Sequence, residues 1–134
     1  MLTCTRVSSS ALKSILVVDD DADTAESFAF VLKARGHTAE SISDSRRVLE
    51  AVRRSNPHAV FLDIGMPHVD GFQLALALKR EFPETFLVAI TGHSSDVYRK
   101  RGRQSGFDAY VVKPIDAPML ESILMTLFGP AALR

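Results

Sequence analysis

Apolar residues along the chain fall into two alternating rhythms. Short apolar runs, Ser14 to Val18 (SILVV), AVFLDI from Ala59, FLVAIT from Phe86 and AYVV from Ala109, predict buried strands, with Thr38 to Ile42 a weaker strand of the same kind. Helical spacing fills the gaps. Asp23 or Thr24 caps a first helix in which Ala25, Phe28, Ala29 and Leu32 share one face, and Gly36 closes it. Ser43-Asp44 caps a second, with Val48, Leu49 and Val52 facing inward until Asn56-Pro57 stops it. Phe72 to Phe82 is a third, rich in Leu and Ala and ended by Pro83. Ser94 to Gln104 gives the weakest helix, with Gly102 inside, three arginines, one lysine, and only Val97 and Tyr98 as apolar anchors. Lys113-Pro114 is a turn, and Asp116 to Phe128 is an amphipathic helix using Met119, Leu120, Ile123, Leu124 and Leu127, ended by Gly129-Pro130.

Strands that are apolar throughout and separated by helices imply a parallel sheet covered on both faces. Five such units predict an α/β fold with a doubly wound sheet, and no internal repeat or linker divides it. Sites in such sheets form beyond the carboxyl ends of the strands. The residues at those ends are Asp19-Asp20 after the first strand, Asp63 after the third, Thr91 after the fourth and Lys113 after the fifth. The chemically capable polar residues therefore share one edge.

Composition narrows the partners. The 134 residues are enough for one domain with a substantial core. Hydrophobic residues make up 46% and charged residues 24%, which is ordinary for a globular protein. Sixteen Lys+Arg balance sixteen Asp+Glu, which gives no basic surplus for nucleic acid or an anionic membrane. Cys4 is the only cysteine, so an intrachain disulfide is excluded and a reducing compartment is expected. No apolar run approaches the length of a membrane span, roughly 18 residues. The opening MLTCTRVSSSALK lacks the apolar core of a secretory signal. A cytoplasmic protein is expected, with residues 1–13 a flexible extension, 14–128 the domain and 129–134 a tail.

The charges on the shared edge raise a physical problem. Two carboxylates about 4 Å apart repel by roughly 4 kcal/mol at an effective dielectric near 20. Three on one rim need compensation that Lys113 supplies only in part. A hard divalent cation with oxygen ligands is the natural remainder, and Mg²⁺ suits a shallow site because it retains several waters. Carboxylates, a hydroxyl, a lysine and a metal together match phosphoryl transfer, with a side-chain oxygen as acceptor. Asp63, alone at the end of a central strand, is the best acceptor. Asp19 and Asp20 are better placed to hold metal, while Thr91 and Lys113 suit phosphoryl oxygens.

The ordered set ILVVDDD, FLDIGMPHVDG, AITG and YVVKP, spread over about Ser14 to Phe128, resembles the receiver domain of two-component response regulators. The resemblance implies a flavodoxin-like sheet of strand order 2-1-3-4-5 with helices on both faces. It implies that Asp63 takes a phosphoryl group from the phosphohistidine of a histidine kinase or phosphotransfer protein. It also implies that Asp20, Asp63 and the Gly65 backbone carbonyl ligate Mg²⁺ directly and Asp19 mostly through a metal-bound water. Thr91 matches the switch hydroxyl, Lys113 the phosphoryl-binding lysine and Tyr110 the aromatic whose rotamer responds. Met66-Pro67 and Asp70-Gly71 shape the loop after the acceptor, and Lys113-Pro114 is expected to be cis. On this reading the protein is no enzyme beyond phosphorylation and autodephosphorylation at Asp63, and its downstream partner is a protein. Two departures concern phosphoryl lifetime: Gly65 has no side chain to orient a hydrolytic water, and His93 occupies the other tuning position. In the fourth helix, Arg101 and Gln104 stand where relatives often carry small apolar residues.

Plainer roles suit other residues. Asp21 and Asp23 cap or lie in solvent. His37, His58, His68 and His93 show no metal-ligand spacing and read as surface or loop residues, and the basic run Arg99 to Arg103 as a solvated helix face. Two rival functions are an aspartyl-phosphate phosphatase of the haloacid-dehalogenase type and a phosphorylation-independent scaffold. The first wants a second aspartate where Gly65 stands, and the second leaves a full set of phosphorylation residues unused. Only GPAALR follows Phe128, and the initiator methionine with its irregular leader favours a stand-alone regulator over a fragment of a larger regulator or hybrid kinase.

Overall fold

The computed structural model describes residues 12–66, 70–92 and 96–129. Most of the leader 1–13, the Pro67 and His68 part of the loop after Asp63, His93, the Val97 and Tyr98 anchors and nearly all of the 129–134 tail lie outside the described residues or side chains. The elements run β1 (Ser14–Val18), α1 (Ala22–Ala34), β2 (Thr38–Ile42), a 3₁₀ turn (Ser45–Arg47) leading into α2 (Val48–Ser55), β3 (Ala59–Asp63), α3 (Gly71–Glu81), β4 (Phe86–Thr91), α4 (Asp96–Gln104), β5 (Ala109–Val112) and α5 (Ala117–Phe128). The five strands form one sheet in the order β2-β1-β3-β4-β5, and each of the four pairings is parallel. This is the doubly wound order expected.

The strand residues divide by parity, as a pleated sheet requires. Leu16, Val18, Val60 and Leu62 face α2 and α3, where they meet Val48, Val52, Leu74, Ala75 and Leu78. Ile15, Val17, Phe61, Val88 and Ile90 face α1 and α5, against Ala25, Ala29, Leu32, Leu120, Ile123 and Leu124. All five β3 residues are buried, so the third strand is the centre of both cores. Each large side chain buried there contributes roughly 1.5–3 kcal/mol of transfer free energy. The edge strand β2 is half exposed, and its Glu40 is held by Arg54 of α2 at 2.7 Å. No described helix is long and apolar enough to cross a membrane.

Two expectations need correction. The cap of α1 is Asp21, one of the two aspartates read as capping, and Asp23 and Thr24, also expected as caps, instead donate their N–H groups to its carboxylate. The helix starts at Ala22, so the residue just before it is the one whose extended backbone aims an oxygen at the first free donors. His37 lies in the loop before β2, one of the two placements expected, but it is buried there, 3% exposed, and not at the surface. Its Nδ1 accepts the Lys13 N–H at 3.0 Å, and Nδ1 of the exposed His58 accepts the Ser14 N–H at 2.9 Å. Two consecutive backbone donors entering β1 thus end on imidazole nitrogens from two other segments, which satisfies groups that are costly to leave unpaired.

The amino ends of β4 and β5 are tied together by Lys79. Its Nζ donates to the Thr85 carbonyl at 2.8 Å and pairs with Asp108 Oδ2 at 3.0 Å, and that oxygen also accepts the Leu87 N–H at 2.8 Å. Gly106, at φ +101°, lies over the lysine stem where a Cβ would fall 2.7 Å from Lys79 Cγ. A left-handed backbone and this close approach both require glycine there.

Candidate functional site

The parallel sheet delivers Asp19, Asp63, Thr91 and Lys113 to one rim, because each follows or ends a strand running the same way. Val18 pairs with Leu62, Asp63 with Ile90, and Thr91 with Val112, so the strand ends lie level. Asp19 is anchored by donating its N–H to the Ile42 carbonyl of β2, and Lys113 by donating its own to the Thr91 carbonyl. The Lys113-Pro114 peptide is cis, as expected.

Three carboxylates converge. Asp19, Asp20 and Asp63 each offer an oxygen, and these oxygens lie within 4.8 Å of one another. Asp19 and Asp63 are buried and Asp20 is exposed. Lys113 Nζ bridges the two buried ones, donating to Asp19 Oδ2 and Asp63 Oδ2 at 3.0 Å each. The remaining oxygens are also engaged: Gly65 N–H donates to Asp63 Oδ1 at 2.8 Å, and Asp21 N–H to Asp19 Oδ1 at 3.0 Å. Asp63 therefore sits with one oxygen on a lysine and the other on a backbone amide.

Electrostatics follow the geometry. Partial burial opposes the charge on Lys113, but hydrogen bonds and attraction from Asp19 and Asp63 outweigh it and raise its pKa. Asp20 has no such cation among the described residues. Partial burial, then Asp19 and Asp63, push its pKa up. One ammonium thus serves two of three carboxylates, and the third is left with unbalanced repulsion facing solvent.

The donor set fits a small hard dication. All three groups are carboxylate oxygens, the ligands Mg²⁺ prefers, and ligands bound at about 2.0–2.1 Å in an octahedron lie at most about 4.2 Å apart. The 4.8 Å spread is within a small adjustment of that figure.

Thr91 is 1% exposed at the end of β4. Tyr110 on β5 is half-buried; Arg99 of α4 stacks 5.3 Å from its ring centroid. Gly102 fits beneath the same ring, where a Cβ would come 3.3 Å from Tyr110 Cδ2. The glycine that weakens α4 as a sequence pattern thus makes room for the tyrosine. Beside the rim, a cleft of about 780 Å³ opens between α1 and the start of α5, lined by Phe28, Val31, Lys113, Pro114 and Leu120 among others.

One grouping at this end escapes the sequence pattern. Arg101 pairs with Asp70 Oδ2 at 3.1 Å and stacks over the Phe72 ring 4.2 Å from its centroid. The surplus of arginine in α4 is visible in the sequence, but its aromatic and acidic partners lie about thirty residues away.

Comparison with known proteins identifies the family. The family described as the response regulator receiver domain matches residues 15–125. An uncharacterised 14.6 kDa protein of Leptolyngbya boryana is 35% identical over 109 residues, covering 79% of this chain and 82% of that one. The transcriptional regulatory protein TcrA of Mycobacterium tuberculosis is 32% identical over 113 residues, covering 84% of this chain; the chain spans 45% of that relative's length. A solved response regulator from Burkholderia pseudomallei, described with a phosphorylated aspartic acid, calcium ion and citrate, is 25% identical with a TM-score of 0.78, covering 90% of this chain and 69% of that one. With the strand order, the acidic rim and a match over most of its length in agreement, the chain belongs to the response regulator receiver domain family of two-component signalling.

Proposed function

We propose that Asp63 accepts a phosphoryl group from the phosphohistidine of a histidine kinase or phosphotransfer protein, and that the charge change is read by a protein partner. The observation that carries this reading is the bridge from Lys113 Nζ to both Asp19 and Asp63, 3.0 Å each, beside an Asp20 that the lysine does not reach. The relative solved with a phosphorylated aspartic acid and a calcium ion supports the same assignment.

In this reading Asp19, Asp20 and Asp63, with the Gly65 carbonyl, hold Mg²⁺. The ion supplies charge neutralisation for the incoming phosphoryl oxygens. An Asp63 carboxylate oxygen attacks phosphorus, the P–N bond breaks as the P–O bond forms, and the departing imidazole takes up a proton. Lys113 releases Asp63 and pairs with a phosphoryl oxygen, the charge-assisted contact that a lysine makes well. The Thr91 hydroxyl donates to another such oxygen, and Tyr110 responds to the shift of Thr91. The structural consequence is a change in the relative stability of two arrangements of the rim. The cleft between α1 and α5, lined by Phe28, Val31 and Leu120 and reaching Asp19 and Lys113, offers the donor protein an apolar surface at the rim. A balanced net charge argues against direct nucleic-acid or membrane binding, and the reducing setting implied by a lone cysteine fits the cytoplasm.

The test is incubation with Mg²⁺ and acetyl phosphate followed by intact mass measurement. Wild type should gain one phosphoryl group and the Asp63→Ala variant none. Equal gain by both would overturn the acceptor assignment, and no gain by wild type would favour the scaffold reading.

A further inference from the structure

We infer that Arg101 is a positioning residue for phosphoryl transfer: it presses the start of α3 against the strand end that carries the acceptor. The inference rests on the reading of Asp63 as phosphoacceptor. The contacts form a continuous path. Arg101 grips Asp70 by an ion pair of 3.1 Å and covers the Phe72 ring at 4.2 Å. Asp70 is at the same time the cap of α3, its Oδ1 accepting the Phe72 N–H at 2.9 Å. Between these two gripped residues lies Gly71, whose backbone rests so closely on Ile64 that a Cβ would fall 2.8 Å from Ile64 Cα. Ile64 directly follows Asp63, and the next amide, that of Gly65, donates to Asp63 Oδ1.

Two features argue that this is more than surface decoration. Arg101 is one of four cations within five residues of α4 (Arg99, Lys100, Arg101 and Arg103); Arg103 shares a helix face with Arg99 and Lys100, whereas Arg101 faces away from all three. Directing one of them at another helix uses a planar guanidinium for both of its contacts, the carboxylate and the ring face, which lysine does not match. The path also joins the element that follows Thr91 in sequence to the loop that follows Asp63. Both loops must be in register when a phosphoryl group is held between Thr91 and Asp63. Contact alone transmits position here, since Gly71 leaves no side chain to absorb a shift of α3.

The inference is tested by the rate of phosphoryl gain from acetyl phosphate with saturating Mg²⁺. The variants are Arg101→Leu, Arg101→Lys, Asp70→Asn and the Arg101→Leu/Asp70→Asn double variant, each checked for a normal far-ultraviolet spectrum and melting transition. Asn keeps an N-cap oxygen, so Asp70→Asn removes the ion pair while leaving α3 capped. Arg101→Leu is expected to slow the reaction about three- to tenfold, the range that an exposed ion pair with an aromatic stack supports. Asp70→Asn should slow it by a smaller factor, Arg101→Lys should restore part of the rate, and the double variant should be no slower than Arg101→Leu alone. Raised salt should slow wild type more than it slows Arg101→Leu, because only wild type has the exposed ion pair to Asp70 to lose. An Arg101→Leu rate equal to wild type, or fully multiplicative effects in the double variant, would overturn the inference while the acceptor assignment stands. A wild type that takes no phosphoryl group at all would overturn both.

Discussion

Gly102 lies directly beneath Tyr110: a methyl group on the glycine would sit 3.3 Å from Cδ2 of the ring. Glycine inside an α-helix costs about 1 kcal/mol relative to alanine. Gly102→Ala therefore recovers helix stability while pressing on a half-exposed ring at the sheet edge, which can give by a few tenths of an ångström. The expected result is a protein more stable by up to about 1 kcal/mol in chemical denaturation. The Tyr110 ring should be displaced away from α4, visible as a changed ring resonance. A bulkier Gly102→Val should reverse the gain, because β-branching and overpacking then act together.

Removing the bridging lysine has the opposite sign. Lys113→Met strips Asp19 and Asp63, both buried, of their shared cation. Breaking a fully buried pair costs about 3–5 kcal/mol. The lysine side chain is 36% exposed, so a smaller loss of about 1–3 kcal/mol is expected. Millimolar Mg²⁺ should return part of that stability, because it supplies positive charge to the same oxygens. Thermal melts of the variant with and without the ion read this directly; a loss unchanged by Mg²⁺ counts against the carboxylates as its ligands.

Asp20 gives a stability effect that runs against function. Its pKa is raised in the folded state by partial burial and by Asp19 and Asp63. A folded carboxylate with a raised pKa binds protons more tightly than the unfolded chain does. Its contribution is therefore favourable in acid and is lost as pH rises through and above the ordinary carboxylate range. Asp20→Asn should make the metal-free protein more stable at neutral pH and weaken Mg²⁺ binding by about tenfold, since one ligand charge is gone. Metal titration followed by calorimetry, together with melts in chelator, measures both halves.

Most of the sheet and rim is legible in the sequence because the relevant signals are local. A strand such as AVFLD declares burial on both faces by itself, and the residue that ends it is read off next. What escapes depends on partners remote in sequence. Nothing near His37 reveals that its imidazole closes a donor at Lys13, and a histidine without a ligand pattern defaults to the surface. The α1 cap is left open among Asp21, Asp23 and Thr24 because the run Asp19 to Asp23 offers several equivalent oxygens, and only the backbone angles at Asp21 choose among them. Gly102 and Arg101 read as defects of a helix until Tyr110, Asp70 and Phe72 are brought to them by the fold.

The exposed histidine, His58, carries its own pH dependence. It accepts the Ser14 N–H at Nδ1, which requires that nitrogen to be unprotonated, and partial burial with the nearby Lys13 charge lowers its pKa. A base with a lowered folded pKa contributes stability that is present above its ordinary value and lost as pH falls through the depressed one. Wild type should lose stability between pH 7 and pH 5 more steeply than His58→Gln, in which an amide oxygen can take the same hydrogen bond. Urea midpoints at the two pH values provide the comparison, and parallel slopes would exclude His58 as the titrating group.

The Lys79 tie has a mechanical consequence for everything at the rim. It fixes Gly106 and Asp108, just past the carboxyl end of α4, to the amino ends of β4 and β5. A helix clamped at one end moves as a lever about that end. The nine residues of α4 make an arm of about 13 Å at the usual helical rise. A tilt of about ten degrees then sweeps the far end by about 2 Å and the clamped end by almost nothing. Arg101 grips this arm three residues from the clamped end, where a restraint opposes the tilt with about a third of the arm's leverage.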